Sequence, residues 1–311
     1  MDATSVLHPA TQQGLEILNL FYVMLGVAAV IFSVVAGLVI YACIRFRRRE
    51  GDREPEPIAE NRNLEILWTV IPSLIVLGLF LATVRVMHEV NPPAAQNQKA
   101  DLVITAHQWW WELYYPSSGV RSANELFLPV DRQLLLRLYS ADVVHDFWVP
   151  SLGKKVDVIP NHPNHLWLNI DRPGTFLGTC DEFCGAEHAW MRIRVTGQLA
   201  PDFEEWIQHQ SQPAQLPSGE KARKGAQLFL ELTCSNCHNI SGTPASGTLA
   251  PDLTHLASRI TIGAGVLKNT PQNLLRWIRN PQAIKPGCNM PDLHLPDSEA
   301  AALATYLGEL K

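Results

Sequence analysis

With 311 residues, 47% of them hydrophobic and 18% charged, the chain is long enough for two ordinary domains and a further element. The formal net charge of -5 is mild, and no basic patch of the kind that holds nucleic acid stands out. Six cysteines could form a disulfide framework in an extracytoplasmic chain, but Cys43 lies in an apolar run, Cys180 and Cys184 share one motif, Cys234 and Cys237 share another, and Cys288 stands alone.

The first element is apolar. Ile17 to Ile44 carries no charge, and a bilayer core is crossed by about 20 apolar residues. Ile66 to Val84 is a second such run, and its Pro72 is tolerated in a membrane helix whose neighbours satisfy the freed carbonyl. Residues 1–89 therefore read as an N-terminal segment and a transmembrane hairpin, with helices at about 17–45 and 65–88. Arg45, Arg47, Arg48, Arg49, Arg53 and Arg62 all fall in or beside the intervening loop, and residues 1–16 hold no Lys or Arg. The positive-inside rule then puts the loop in the cytoplasm and the remainder of the chain on the other side. A basic cluster that follows the first run instead of preceding it argues for a retained anchor over a cleaved signal peptide.

Residues 90–207 read as β structure. DLVITAHQWWWELYY, RQLLLRLYS, HLWLNID and MRIRVTGQLA are alternating or rich in β-branched and aromatic residues, and turns divide them. Such spacing predicts a sandwich or barrel. Pro, Gln and Ser accumulate at 208–220, which predicts a linker. At about 3.5 Å per residue it spans at most roughly 45 Å, and a tether of that length gives a local concentration in the millimolar range. Residues 221–311 predict a small, mainly helical domain, with Asp297 and Glu299 suited to a helix N-terminus.

Two motifs carry chemistry. In GTCDEFCGAEHAWM, Gly178 to Met191, two thiols, an imidazole and a thioether fall within one loop, and soft donors of this kind select copper, zinc or iron. His145, in SADVVHDFWVP, is available as a second imidazole. A disulfide would leave His188 and Met191 without purpose, and zinc would use two Cys and two His but not the Met, so the thioether favours copper. The second motif is Cys234-Ser-Asn-Cys237-His238, the attachment pattern of c-type haem, although a CxxC pair alone also serves thiol redox chemistry. The helical context and Met290 in KPGCNMP resemble a class I cytochrome c, which implies His238 as proximal and Met290 as distal iron ligand. His255 is in principle an alternative sixth ligand but reads better as a loop histidine packed beside the haem, and Cys288 departs from that family and reads as a free thiol behaving as a small hydrophobe.

The stretch GTCDEFCGAEHAWM also resembles the copper-binding loop of cytochrome c oxidase subunit II, filling every position of Cys, x, Glu, x, Cys, Gly, x, x, His, x, x, Met. The resemblance continues through LEILWTVIP, HQWWWELYYP, VVHDFWVPSLG and KKVDVIPN. It implies a cupredoxin-like Greek-key sandwich carrying the dinuclear copper A centre. In that centre Cys180 and Cys184 would bridge both coppers, His145 and His188 would each terminate one, and Met191 and the Glu182 carbonyl would be weak ligands. It further implies Trp109 as the residue through which electrons reach copper, Glu65 at the mouth of a proton pathway into subunit I, the Glu182 side chain on a magnesium ion at that interface, and Asp157 near the donor's docking surface. Without the resemblance, Glu65 reads as an acid favouring a helix N-terminus, and Asp157 as a solvated carboxylate.

The expected whole is subunit II of a bacterial haem-copper oxidase with a fused cytochrome c domain, held in the cell membrane with its copper and haem domains outside the cytoplasm. Electrons would come from an external cytochrome c or bc1 complex and pass to subunit I, where oxygen becomes water and protons are translocated; subunit III is a further expected partner. The rival readings are the relay subunit of a copper A nitric oxide reductase and a membrane-anchored electron carrier without a catalytic partner.

Overall fold

The computed structural model describes residues 5–51, 60–95 and 97–311; Arg53 of the loop cluster lies outside them. It forms two units, residues 15–92 and the remainder. In the first, α1 (Gln12–Arg45) and α2 (Arg62–Val90) are both long and apolar enough to cross a membrane. α1 has 34 residues, or about 51 Å at 1.5 Å per residue, against a hydrocarbon core of about 30 Å. It therefore overruns the span at its ends. Asn61 caps α2, its side chain accepting from the Leu64 N–H at 3.2 Å, and Glu65 sits in the first turn.

The first residues do not belong with the hairpin. The Ala10 N–H donates to the Ser151 carbonyl at 2.7 Å, the Asp171 N–H donates to the Ala10 carbonyl at 2.9 Å, and Ala10 is wholly buried. A boundary drawn only at residue 89 misses this strip, because a single backbone run tucked against a sandwich leaves no hydrophobic period to read.

The second unit begins with a β-sandwich. One sheet orders β3 (Val120–Ala123), β2 (Trp110–Tyr115), β1 (Leu102–His107), β5 (Leu134–Ser140) and β8 (Asn164–Leu168). The other orders β4 (Glu125–Pro129), β10 (Arg192–Gln198), β9 (Gly174–Cys180), β6 (His145–Trp148) and β7 (Val156–Val158). β1 runs parallel to β5 and β4 to β10, while the other pairings are antiparallel. Alternation decides which side chains fill the space between the sheets: Leu102, Ile104 and Ala106 from β1, Trp111, Leu113 and Tyr115 from β2, and Leu134, Leu136 and Leu138 from β5 all point inward. Trp111 is thus core, Trp110 stacks on the His107 ring at 4.4 Å on the outer face, and Trp109 turns toward the metal loop.

After β10 the chain forms α3 (Ala200–Gln210) where strand and then linker were expected. Its signal is present in PDFEEWI: a proline and an acid in the first turn, then Phe203, Trp206 and Ile207 at helical spacing. Those three pack on the sandwich, with Trp206 stacked 4.6 Å from Phe127. The remaining connection is strapped down. The Ala214 N–H donates to the Ser241 carbonyl at 2.9 Å, the Gln212 carbonyl lies 3.0 Å from His255 Nε2, and the Ser218 N–H donates to the Glu309 carboxylate at 2.9 Å. A free-chain estimate of reach does not apply to a segment whose backbone is committed in this way.

The final domain contains α4 (Glu220–Glu231), α5 (Cys234–Cys237), the hairpin β11 (Thr261–Ile262) and β12 (Leu267–Lys268), α6 (Pro271–Arg279) and α7 (Asp297–Leu307). α4 and α7 cross at Gly225, where a Cβ would overlap the Ala302 carbonyl and press on Tyr306. Leu228, Phe229, Leu274, Ile278, Leu303 and Tyr306 close the core around that crossing. Asp297 and Glu299 occupy the first turn of α7.

Candidate metal centre and haem-attachment helix

The metal loop joins β9 to β10, so its first cysteine is fixed at a strand end and its methionine at the next strand's start. Cys180 Sγ and Cys184 Sγ lie 3.8 Å apart, too far for a disulfide bond of about 2.05 Å. The other donors surround this sulfur pair. His145 Nδ1 is 3.8 Å and the Glu182 carbonyl oxygen 3.3 Å from Cys180 Sγ. His188 Nδ1 is 3.5 Å and Met191 Sδ 3.9 Å from Cys184 Sγ. Among the described residues, His145, Cys180 and Cys184 are a buried group whose ligand atoms all lie within 4.8 Å of one another.

Gly185 gives the loop its turn. Its φ is +114°, and a Cβ there would stand 3.0 Å from both Gln108 Nε2 and the Trp109 ring. The Trp109 indole N–H donates to the Cys184 carbonyl at 2.9 Å, and Gln108 Nε2 donates to the same oxygen at 2.7 Å. Trp109 is therefore bonded to the backbone of a thiol residue as well as lying near it.

A residue absent from the sequence reading orients His145. Asp142 Oδ1 is 2.7 Å from His145 Nε2, and the carboxylate also accepts the N–H groups of Gln108 at 2.6 Å and Val143 at 2.7 Å. A carboxylate can only accept from the ring, so Nε2 carries the proton and Nδ1 presents its lone pair to the sulfurs. An Asp three residues before a candidate ligand His was the available signal. The two thiols share protons unequally: hydrogen bonding to Cys184 and His145 pulls Cys180 down against its burial, while the same contact and burial push Cys184 up. One thiolate is favoured before any metal arrives.

The donor chemistry fits a pair of soft metals. Two central sulfurs, each with its own imidazole and its own weak oxygen or thioether neighbour, suit two ions sharing two thiolates better than one tetrahedral zinc. The Glu182 side chain is exposed and has no hydrogen-bond partner among the described residues, and Phe183 beside it is 77% exposed. Asp157 is exposed and stands opposite Asp146 in the β6–β7 ladder; burial and then this neighbour push the Asp146 carboxyl up to about 7.

In the helical domain Cys234 and Cys237 bracket α5 as free thiols, and His238 follows directly. His238 Nδ1 lies 2.7 Å from the Pro251 carbonyl, and burial lowers its pKa. A neutral ring with Nδ1–H committed to a carbonyl leaves Nε2 as a ligand, the usual preparation of a metal-binding histidine. His255 is differently placed: its Nδ1 and Nε2 both face backbone carbonyls, those of Lys311 at 2.8 Å and Gln212 at 3.0 Å. It serves packing and has no nitrogen free for iron. Met290 lies on a loop held by Gln282, whose Nε2 contacts the carbonyls of Cys288 at 2.7 Å and Met290 at 2.8 Å and the Cys288 sulfur at 3.3 Å. Cys288 is a half-buried free thiol whose pKa burial raises.

A buried cluster of soft donors, a CxxCH helix and two apolar helices in one chain point to the class of membrane-anchored electron-transfer proteins. Family profiles match along the chain: the cytochrome c oxidase subunit II transmembrane domain over residues 5–86, its periplasmic domain over 118–198 and cytochrome c over 222–311. Cytochrome c oxidase subunit 2 of Alkalihalophilus pseudofirmus is 34% identical over 314 residues, covering 99% of this chain and 91% of that protein. The same subunit of Bacillus subtilis is 33% identical over 294 residues, covering 88% and 82%. The crystal structure of the periplasmic domain of subunit II of cytochrome oxidase of Bradyrhizobium japonicum is 32% identical, covering 36% of this chain and 94% of that one, with a TM-score of 0.34. The chain belongs to the cytochrome c oxidase subunit II family and carries a C-terminal cytochrome c domain, so it is a subunit of an oxidase complex. The family implies copper A and the last domain implies haem.

Proposed function

We propose that Cys180, Cys184, His145 and His188, with Met191 and the Glu182 carbonyl as weaker donors, would hold the copper A pair, and that Cys234, Cys237, His238 and Met290 would hold haem c. The observation that carries this is the convergence of two thiols, two imidazoles, a thioether and a carbonyl on one sulfur pair. When bound, the two groups supply one-electron carriers, so that the chain takes electrons from an external donor such as a cytochrome c or a bc1 complex and delivers them to subunit I for oxygen reduction coupled to proton translocation.

The residues' own work is positional. Asp142 fixes the His145 tautomer, Gly185 lets Trp109 approach the loop, and burial of His145, Cys180, Cys184 and Met191 keeps water from the donors. A rigid donor set changes little between oxidation states, which suits transfer over turnover. Trp109, through its bond to the Cys184 carbonyl, is the electron port. The exposed Glu182 carboxylate is assigned to magnesium at the subunit I face, and Glu65, in the first turn of α2, to the mouth of a proton pathway. The arginines between α1 and α2 favour a cytoplasmic loop, which leaves the copper and haem domains periplasmic, the helices in lipid, and subunit III a further neighbour. The test is spectroscopic: the purified full chain supplied with haem and copper shows a c-type haem spectrum and the electron paramagnetic resonance of one electron shared by two coppers. A single-copper signal at full copper loading overturns the assignment.

A further inference from the structure

Two of the contacts between the cytochrome domain and the copper domain use buried charge. At the first, Glu125 of β4, 1% exposed, accepts the N–H groups of Ile260 at 2.9 Å and Thr261 at 2.7 Å and the Thr261 hydroxyl at 2.6 Å. The Arg192 N–H donates to the Ala264 carbonyl at 3.3 Å nearby. At the second, Lys285, 3% exposed, donates to the carbonyls of Trp109 at 2.9 Å and Trp190 at 3.2 Å. Asn289 Nδ2 donates to the Gln108 carbonyl at 2.8 Å, and a Cβ at Gly287 would stand 3.5 Å from the Ala186 Cβ.

Redox partners that meet transiently use small contacts with solvated charges at the rim. An ammonium sealed between backbone carbonyls is a different device. Burial pulls the Lys285 pKa down to about 8, with partial relief from Glu187, and the two carbonyls stand where water would otherwise solvate the ammonium. Its place along the chain is specific too. Lys285 and Asn289 belong to the loop that ends in Met290, which Gln282 braces, and their acceptors are the carbonyls of Trp109 and its neighbour Gln108. The Trp109 indole continues to the Cys184 carbonyl. The strapped connection at Gln212 to Ser218 removes the slack that a search would need.

We propose that Lys285 is a positioning residue that locks the cytochrome domain onto the Trp109 face of the copper domain, so that its electron crosses in one fixed pose and external donors reach only the cytochrome domain. The proposal rests on the assignment of copper A and haem c given above. In the step concerned, the electron lost by the haem iron is the one gained by the copper pair, and no proton moves.

The test uses the full chain, loaded and in nanodiscs, as wild type, Lys285→Met, which keeps the stem and removes the ammonium, and Lys285→Arg. The first readout is amide hydrogen exchange at Arg192, Ile260 and Thr261, whose N–H groups are covered only while the domains are docked. Leaving the Trp109 and Trp190 carbonyls without their donor should speed that exchange about tenfold or more in Lys285→Met, with the segment around Cys234 to His238 unchanged. The second is the interdomain electron-transfer rate after photoreduction of the haem, expected to fall by a similar factor with both spectra intact, after correction for any change in the copper midpoint potential caused by the lost charge. Lys285→Arg, which keeps the charge and the donors, should recover part of both. Unchanged exchange and an unchanged rate in Lys285→Met overturn the proposal. If that variant does not fold, Asn289→Ala must show the same two changes on a smaller scale, and its failure to do so overturns the proposal equally. Wild type lacking a haem or copper signal would defeat the cofactor assignment, while the exchange data would still decide the docking.

Discussion

Removing the Asp142 carboxylate isolates its hold on the metal loop. In Asp142→Ala the His145 Nε2–H loses its 2.7 Å partner, and the N–H groups of Gln108 and Val143 lose theirs. His145 is wholly buried behind the exposed Asp142, so a water entering the vacated space can accept from the ring but carries no charge and is not fixed in place by the chain. Loss of a carboxylate partner to a metal-ligating histidine costs about 10–100-fold in metal affinity, or about 1.4–2.8 kcal/mol. Asp142→Asn divides the effect: its one oxygen can face His145 or Gln108, while the amide nitrogen confronts a donor at the other place. It should fall between wild type and Asp142→Ala. Copper affinity is measured on the full chain by competition with a chromophoric copper(I) chelator, and paramagnetic resonance follows the sharing of the electron between the two coppers. The expected result is weaker binding with unequal sharing, since only the copper next to His145 is disturbed. Asp142→Ala binding both coppers with wild-type affinity and an unaltered signal would refute the reasoning, and with it the role of His145 as a ligand oriented from behind.

Two further outcomes follow from packing and charge. Gly225→Ala inserts a methyl into the α4–α7 crossing against the Ala302 carbonyl; overpacking of this kind costs about 1–3 kcal/mol, and at about 4–8 °C per kcal/mol for a domain of this size the cytochrome domain's Tm should drop clearly in calorimetry while the sandwich transition stays put. Glu112 accepts from Arg121 at 2.5 Å and faces His107 Nε2 at 3.3 Å, and the His107 contact first, then Arg121, hold its carboxyl below its usual 4.5. A depressed carboxylate stabilises the fold above the unfolded value and loses that contribution as pH falls through the folded one. Glu112→Gln should therefore be less stable than wild type at pH 7, with the gap closing below about pH 4 in denaturant titrations; a gap that widens on acidification contradicts the sign.

Local chemistry was legible in the sequence and distant contact was not. Cys180, Cys184, His188 and Met191 lie in one loop, and Cys234, Cys237 and His238 in one turn, so spacing alone brought their donors together. His145 could be named from the sequence only as an available imidazole, because the β6–β9 pairing that carries Phe147 beside Cys180 is a tertiary fact. Glu125 in the sequence is an unremarkable acid at the start of a strand, and its burial comes from residues 135 and 136 positions onward in the chain. Lys285 has the same history. The strand periodicity of residues 90–205 carried over into α3 because the reading extended a β pattern past its last strand, although Phe203, Trp206 and Ile207 had already changed to a helical period.

The α4–α7 crossing also governs when the haem cradle can exist during synthesis. The glycine that permits it is among the first residues of its domain to be made and the carbonyl it meets among the last. A chain emerging from its amino end holds Cys234, Cys237 and His238 long before α7 is available to close over α4. Until then Cys234 and Cys237, on α5, stand beside an α4 that lacks its partner helix.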